Sequence, residues 1–168
     1  MEIRVATIED AEATRQIYNN EVLTSTVTFD LEPRSLADQR RWLSARSGAH
    51  AVVLAETVEA TGERVITGFG SLSPWKDRPA YTTSVEDSVY VHPDYQGKGI
   101  GKLLLAELVR LATAHGFHAM FARIVGGHEA SIGLHEAFGF AVVGTEREVG
   151  RKFGQWLDVD VMELLLEH

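Results

Sequence analysis

The chain predicts a mixed α/β fold built on one sheet, antiparallel at first and partly parallel later. Three observations carry this. Short β-branched runs and amphipathic runs follow one another in the order β-α-α-β-β-β-α-β-α-β-β. Gly62-Glu63 separates two of the strand-like runs by a turn, which reads as an antiparallel hairpin. A helix-like run lies between Val91 and Ala119, and a crossover helix makes the strands it joins parallel. The 168 residues suffice for one domain, 1–168, with a sizeable core.

Ile3-Arg4-Val5-Ala6 alternates as a strand. Thr7 and Asp10 have the spacing of a capping box, opening a helix to about Asn20. Thr24 to Pro33 is a polar, β-branched loop, and Ser35 caps a second helix, Leu36 to Arg46. Ala51–Ala55 and Val65–Ser71 form the hairpin. Pro74 and Pro79 bracket the loop Trp75-Lys76-Asp77-Arg78, and Val85–Val91 is the next strand. The helix Lys102–His115 is apolar at 104, 105, 108, 111 and 112 and stops at Gly116. Ala119–Ile124 is a strand, Ala130–Phe138 a helix closed by Gly139, and Phe140–Val143 and Val159–Leu165 are the last strands.

Composition excludes several classes. Hydrophobic residues make up 45% and charged residues 24%, as in ordinary globular proteins. The formal net charge of −8 argues against a nucleic-acid partner, which favours a basic face. The chain has no cysteine, so it has no disulfide, no thiolate zinc site and no cysteine acyl-enzyme. No apolar run has the length of a membrane span and no signal peptide is visible, so the expected location is the cytoplasm. No H-E-x-x-H is present among the seven histidines, and no metal is expected.

Gln96-Gly97-Lys98-Gly99-Ile100-Gly101 is the most telling stretch. A glycine-rich turn feeding a helix offers free amides, a favourable dipole and close backbone approach to a phosphate. Lys98 and Lys102 add positive charge. A Walker A loop fails, because Leu103 stands where Ser or Thr is required and Gln96 where the first Gly is. A dinucleotide fingerprint fails, because Lys102 takes the third Gly and no acid follows near His118–Arg123. The pattern Q/R-x-x-G-x-G/A is met by Gln96, Gly99 and Gly101. An ordinary helix-start loop without a ligand is the remaining alternative.

Q/R-x-x-G-x-G/A is the pyrophosphate motif of the GNAT acyl-CoA N-acyltransferases, and other segments resemble that family too. Val85–Val91 with the Gln96 loop is similar to its central strand and loop, and Ala130-Ser131-Ile132-Gly133-Leu134-His135-Glu136-Ala137-Phe138-Gly139-Phe140 to its later helix. Ile17–Asn20 with Ser25–Phe29, Pro74–Arg78 and Val149–Asp158 resemble the phosphinothricin and methionine-sulfone (methionine sulfoximine) N-acetyltransferases. The resemblance implies the GNAT fold, with a sheet splayed between the strands at Val85–Val91 and Ala119–Ile124. It implies acetyl-CoA as cosubstrate, a small amino-acid acceptor and a homodimer. It maps Gln96, Gly97, Lys98, Gly99, Ile100, Gly101 and Lys102 onto the pyrophosphate loop. Val89, Tyr90 and Val91 map onto the strand whose backbone meets the thioester.

Acyl transfer to an amine requires removal of a proton from nitrogen and polarisation of the carbonyl, and an acid can protonate the leaving thiolate. No G-x-S-x-G is present, which favours direct attack in a ternary complex. Glu86 maps onto the family's carboxylate base. Its neighbour Asp87 faces the other way on a regular strand, so one of the two faces the cleft. His135 stands where many members carry a tyrosine, and is the candidate acid. Ser131, one turn earlier, shares its face and could bond the pantetheine. His128 replaces the usual Asn, so a different donor meets the cofactor arm. Arg78 and Lys76 are candidate clamps for an acceptor carboxylate, and Phe29, Trp75, Tyr81 and Trp156 candidate pocket walls. The expected activity is amino-acid N-acetylation. A CoA-sensing module and a protein-tail acetyltransferase are the rival readings.

Overall fold

The computed structural model describes residues 1–167. Their elements in chain order are β1 (Glu2–Val5), α1 (Ala11–Thr24), α2 (Leu36–Ser44), β2 (Val52–Val58), β3 (Arg64–Pro74) and β4 (Ser84–Val91). There follow α3 (Ile100–Ala114), β5 (Ala119–Val125), α4 (Glu129–Ala137), β6 (Ala141–Lys152) and β7 (Gln155–Leu165). The strands join in one sheet, β1-β2-β3-β4-β5-β7-β6. Its neighbours are antiparallel except β4 and β5, which the crossover through α3 makes parallel. The element order and mixed sheet match the expectation from sequence.

Local chemistry sets the helix starts. The Thr7 amide donates to Asp10 Oδ2 at 2.7 Å, which closes a 3-10 turn, Ile8–Asp10, ahead of α1. Ser35 Oγ accepts from the Asp38 amide at 3.1 Å and starts α2. α3 begins at Ile100, two residues before the expected Lys102. Gly99 in the left-handed region, φ +80°, already turns the chain into the helix.

Both faces of the sheet are covered. Val53, Ala55, Leu72 and Val85 pack against Leu104, Leu105 and Leu108 of α3. Val52, Leu54 and Phe69 pack against Ile17, Tyr18 and Val22 of α1 and Leu43 of α2. β2 therefore alternates strictly between two cores, which is why it reads as a continuous apolar run. α3 lies close on β3 because two glycines leave room. A Cβ on Gly70 would stand 2.8 Å from Leu108 Cδ1, and one on Gly68 3.1 Å from Leu104 Cδ1.

The largest departure from the sequence reading is the C-terminal hairpin. The expected strands end at Val143 and resume at Val159, whereas β6 and β7 run through most of the interval and turn at Phe153-Gly154, both at positive φ. β6 is an edge strand exposed along most of its length. With neither face in a core, its sequence has no reason to alternate, and the periodicity that marks other strands is missing. A register shift between Glu146 and Gly150 bends it further. The hairpin is tied to the loop after α1. Lys152 Nζ donates to the Thr28 carbonyl at 2.9 Å, and the Phe29 ring fills the space that a Cβ on Gly150 would need.

Candidate active site

The register between β4 and β5 builds the site. The two strands pair only at Ser84↔Ala119, Val85↔Met120 and Glu86↔Phe121. Beyond Glu86 they separate, although β4 continues to Val91 and β5 to Val125. β5 keeps its pairing with β7 to Val125 and β4 its pairing with β3 to Val91, so the sheet opens as a V between them. A cavity of about 280 Å³ occupies the gap. A second, of about 370 Å³, lies along the glycine loop and the start of α3. Val89, Gln96, His128 and Ser131 line both, so a continuous groove leads from the loop to the apex of the V.

The loop end of the groove suits a phosphate. Gly97 and Gly99 have φ of +74° and +80°, and a Cβ on either would meet nothing within 4 Å, so their backbone is bare to the groove. Leu103 is the first residue of α3 to bond back, to the Gly99 carbonyl at 3.2 Å, so the amides of Ile100, Gly101 and Lys102 open the helix as free donors. Gly97, Gly99, Ile100, Gly101 and Lys102 all line this cavity. Gly101 is small for a different reason, since a Cβ there would press on Leu134 Cδ2 at 3.3 Å. Lys98 lies outside the lining, with its ammonium 4.9 Å from the centre of the Tyr95 ring. These residues fit a pyrophosphate such as that of acetyl-CoA.

At the apex, alternation along β4 separates the two adjacent carboxylates. Val85, Asp87, Val89 and Val91 face α3 and α4, while Glu86, Ser88 and Tyr90 face α1 and α2. Asp87 is buried and meets His135 of α4, with Nε2 and Oδ2 2.8 Å apart. The other ring nitrogen, Nδ1, lies 2.7 Å from the Ser131 carbonyl. Burial alone would lower the His135 pKa, but the hydrogen bond and charge of Asp87 outweigh it and the net shift is upward. Both residues line the gap cavity.

Glu86 sits at the last β4–β5 pair and lines neither cavity. Burial pushes its carboxyl up to about 7. The positive charges of Arg123 and Arg46 restrain that rise and the charge of Asp87 adds to it. A carboxyl titrating near neutral pH is matched to general-base work. Arg123 was not a candidate from sequence. It interrupts the apolar strand Ala119–Val125, lines the gap cavity and pairs with Glu146 of β6. That lone cation in an apolar strand was the available signal.

The remaining candidates divide. His128 forms the N-cap of α4 and lines both cavities, with its pKa lowered chiefly by burial, so the neutral ring faces the groove. The Tyr90 side chain packs edge-on to Tyr18 and beside Phe69, which leaves its backbone to serve the groove. Trp75 stacks on Phe121 with centroids 4.2 Å apart and, with Lys76 and Arg123, lines a further cavity of about 540 Å³. Tyr81 lies beside Lys76, 5.3 Å from its ammonium to the ring centre. Phe29 packs on Gly150. Arg78 is exposed, opens a 3-10 turn and lines none of these cavities. Trp156 is exposed on the hairpin beside Arg151. Among the described residues no cluster of His, Asp or Glu is arranged to hold a metal ion, and no helix is long and apolar enough to cross a membrane.

Comparison with known proteins gives the same direction. Residues 14–140 match the model of the acetyltransferase (GNAT) family. The chain is 40% identical over 159 residues to a phosphinothricin N-acetyltransferase of Streptomyces coelicolor, covering 95% of this chain and 92% of that one. It is 39% identical over 165 residues to an L-methionine sulfoximine/L-methionine sulfone acetyltransferase of Pseudomonas paraeruginosa, covering 98% and 94%. The crystal structure of a GNAT-superfamily phosphinothricin acetyltransferase from Sinorhizobium meliloti in complex with acetyl-CoA superposes with a TM-score of 0.91. It is 38% identical and matches over 98% of this chain and 88% of that one. On motif, sheet and relatives alike, this chain belongs to the GNAT acetyltransferase family.

Proposed function

We propose that the protein is an acetyl-CoA-dependent N-acetyltransferase acting on the α-amine of a small amino acid or analogue, of the phosphinothricin or methionine sulfone and sulfoximine type. The observation that carries this is the V-shaped gap after Glu86↔Phe121, joined by a continuous groove to a glycine-rich helix start. The relatives' substrates narrow the acceptor class.

The residues divide the chemistry. The 96–102 loop holds the pyrophosphate, and the backbone of Val89–Val91 with Ser131 and His128 holds the arm that leads to the thioester. Acetyl-CoA supplies an activated acetyl carbonyl with a thiolate leaving group. Glu86, directly or through a water, takes the proton that leaves the amine so that its lone pair is free to attack. His135 supplies a proton to the departing sulfur. Trp75, Phe29 and Tyr81 are the proposed walls for the acceptor, and Lys76, which lines a cavity with Trp75 and Arg123, is the proposed carboxylate contact.

The protein acts as a single cytoplasmic domain and as a homodimer. Apolar side chains at Val142, Val143, Val149, Phe153 and Trp156 stand exposed on the β6–β7 hairpin, as surfaces that pair between subunits do. Light scattering at micromolar concentration should give the mass of two chains; one chain's mass refutes the dimer. The activity is tested by thiol release from acetyl-CoA with a panel of amino acids that includes methionine sulfone and phosphinothricin. Amino-acid-dependent release supports the reading. Binding of acetyl-CoA without release for any amine would make the protein a CoA sensor instead.

A further inference from the structure

The hydrogen-bond partners of His135 fix how many protons its surroundings hold. A backbone carbonyl only accepts, so the 2.7 Å contact with Ser131 places a hydrogen on Nδ1. Nε2 then faces Asp87 Oδ2 at 2.8 Å. Were Nε2 bare and Asp87 ionised, two lone pairs would oppose each other at hydrogen-bond distance inside the protein. One further proton must therefore lie between them. The pair is nearly buried, with side-chain exposures of 4% for His135 and 1% for Asp87, and reaches the outside only through the gap cavity that both line. Asp87 Oδ1 is buried too and has no hydrogen-bond partner among the described residues. The imidazole is thus the group on which the carboxylate depends, and the two act as a unit.

We infer that Asp87 is a positioning residue that keeps His135 doubly protonated in the wall of the gap, so that the imidazolium is the acid that protonates the departing thiolate. The inference rests on the acetyl-transfer reading above. Both N–H groups are held, Nδ1–H by the Ser131 carbonyl and Nε2–H by Asp87, so the ring is fixed in the cavity wall and transfer to sulfur starts from a hydrogen-bonded imidazolium. The carbon–nitrogen bond forms and the carbon–sulfur bond breaks. The sulfur's electron pair takes a proton from the His135 imidazolium, while Glu86 takes the ammonium proton before attack and passes it to solvent, which leaves it free to take the second nitrogen proton as the adduct collapses. His135 is left neutral beside the Asp87 carboxylate, which draws a replacement proton through the cavity that both residues line. From ammonium to amide two protons leave nitrogen, the first before attack and the second as the adduct collapses, while one arrives on sulfur, so the net reaction releases one proton to solvent.

The surrounding groups do not offer His135 a competing anion at hydrogen-bond distance. Glu86 lies on the opposite face of β4. The other ionisable groups on the cavity are Glu21 of α1, Tyr90 of β4, Arg123 of β5 and His128 at the start of α4. On the ring's remaining side Phe140 packs edge-on, with centroids 5.0 Å apart. The upward shift of the His135 pKa agrees with this arrangement.

The test has two arms. In the first, the protein without acetyl-CoA is labelled with ¹⁵N-histidine and titrated by NMR, with His135 assigned by the loss of its signals in His135→Gln. The expected result is an imidazolium that persists above the pH at which an ordinary histidine, pKa about 6.5, is neutral. Asp87→Asn should move that midpoint downward, since an amide N–H can serve a bare Nε2 but an amide cannot balance a cation. In the second arm, the kcat–pH profile is measured with acetyl-CoA and the amino acid turned over best. Asp87→Asn should move the alkaline limb to lower pH and cut kcat at pH 8 by at least about tenfold, with the KM for acetyl-CoA little changed. A His135 that titrates as an ordinary histidine in the native protein overturns the inference without any variant. So does a working enzyme whose alkaline limb ignores Asp87→Asn. An enzyme that releases no thiol with any amino acid overturns the functional reading itself, and the NMR arm tells the two failures apart.

Discussion

Glu86 and Asp87 are adjacent carboxylates on one strand, and the fold treats them oppositely. Asp87 points under α4 and finds a histidine at 2.8 Å. Glu86 points toward α1 and α2, where burial raises its pKa to about 7 and Arg123 and Arg46 act on it only as nearby charges. One carboxyl is locked into a pair and the other is left free to gain or lose a proton near neutral pH. Function follows the environment rather than the residue type, and the environment here is set by the two-residue period of a strand. Each carboxylate can therefore be probed by a change that should act on one and leave the other.

The largest stability effect belongs to the pair. His135→Phe leaves the Asp87 carboxylate buried with no partner, and breaking a buried pair in this way costs about 3–5 kcal/mol. The sign of its pH dependence is fixed. A histidine whose folded pKa is raised contributes stability that is fully present below the unfolded value, about 6.5, and is lost as pH rises through the folded pKa. Denaturant unfolding at pH 6 should show the full loss, and the deficit should narrow as pH rises. A deficit constant with pH would mean that lost packing against Phe140, not the pair, was being measured.

A smaller effect of opposite sign belongs to Glu86. Its folded pKa is raised from 4.5 to about 7, so the fold favours the protonated carboxyl and loses stability as pH climbs across that interval. Glu86→Gln keeps the shape and removes the ionisation. The variant should match the native protein near pH 4.5 and exceed it by about 1–3 kcal/mol above pH 8. Thermal melts across that range read the difference directly. A variant that is less stable at every pH would place Glu86 in a structural role like that of Asp87.

The sequence carries the framework because most of it obeys a period. β2, β3 and α3 pack against one or both cores, so their apolar spacing shows which elements they are, and Gly62-Glu63 and Gly116 mark where elements turn or stop. The loop at Gln96–Gly101 is legible because its glycines answer local backbone demands. The hairpin of β6 and β7 is not legible in this way, since an exposed edge strand carries no period. The bond between Asp87 and His135 spans 48 residues, and nothing local in either segment announces the other. The strand rule left one of Glu86 and Asp87 facing the cleft; which one lines the cavity follows from how β4 is rotated against α3 and α4, a tertiary property. Arg78 shows the reverse limit. Its residue type suits a carboxylate clamp, yet it lies exposed outside the cavities.

The most direct measurement is the pH dependence of kcat/KM for acetyl transfer by the native enzyme and by Glu86→Gln. If Glu86 is the base, the native profile rises with a midpoint near 7, where burial has placed its carboxyl. In Glu86→Gln that limb disappears and the rate near pH 7 falls by at least about tenfold. The deficit should shrink at high pH as the amine loses its proton unaided. A rising limb that survives unchanged in Glu86→Gln would contradict the account, and the acceptor would then have to bind already neutral.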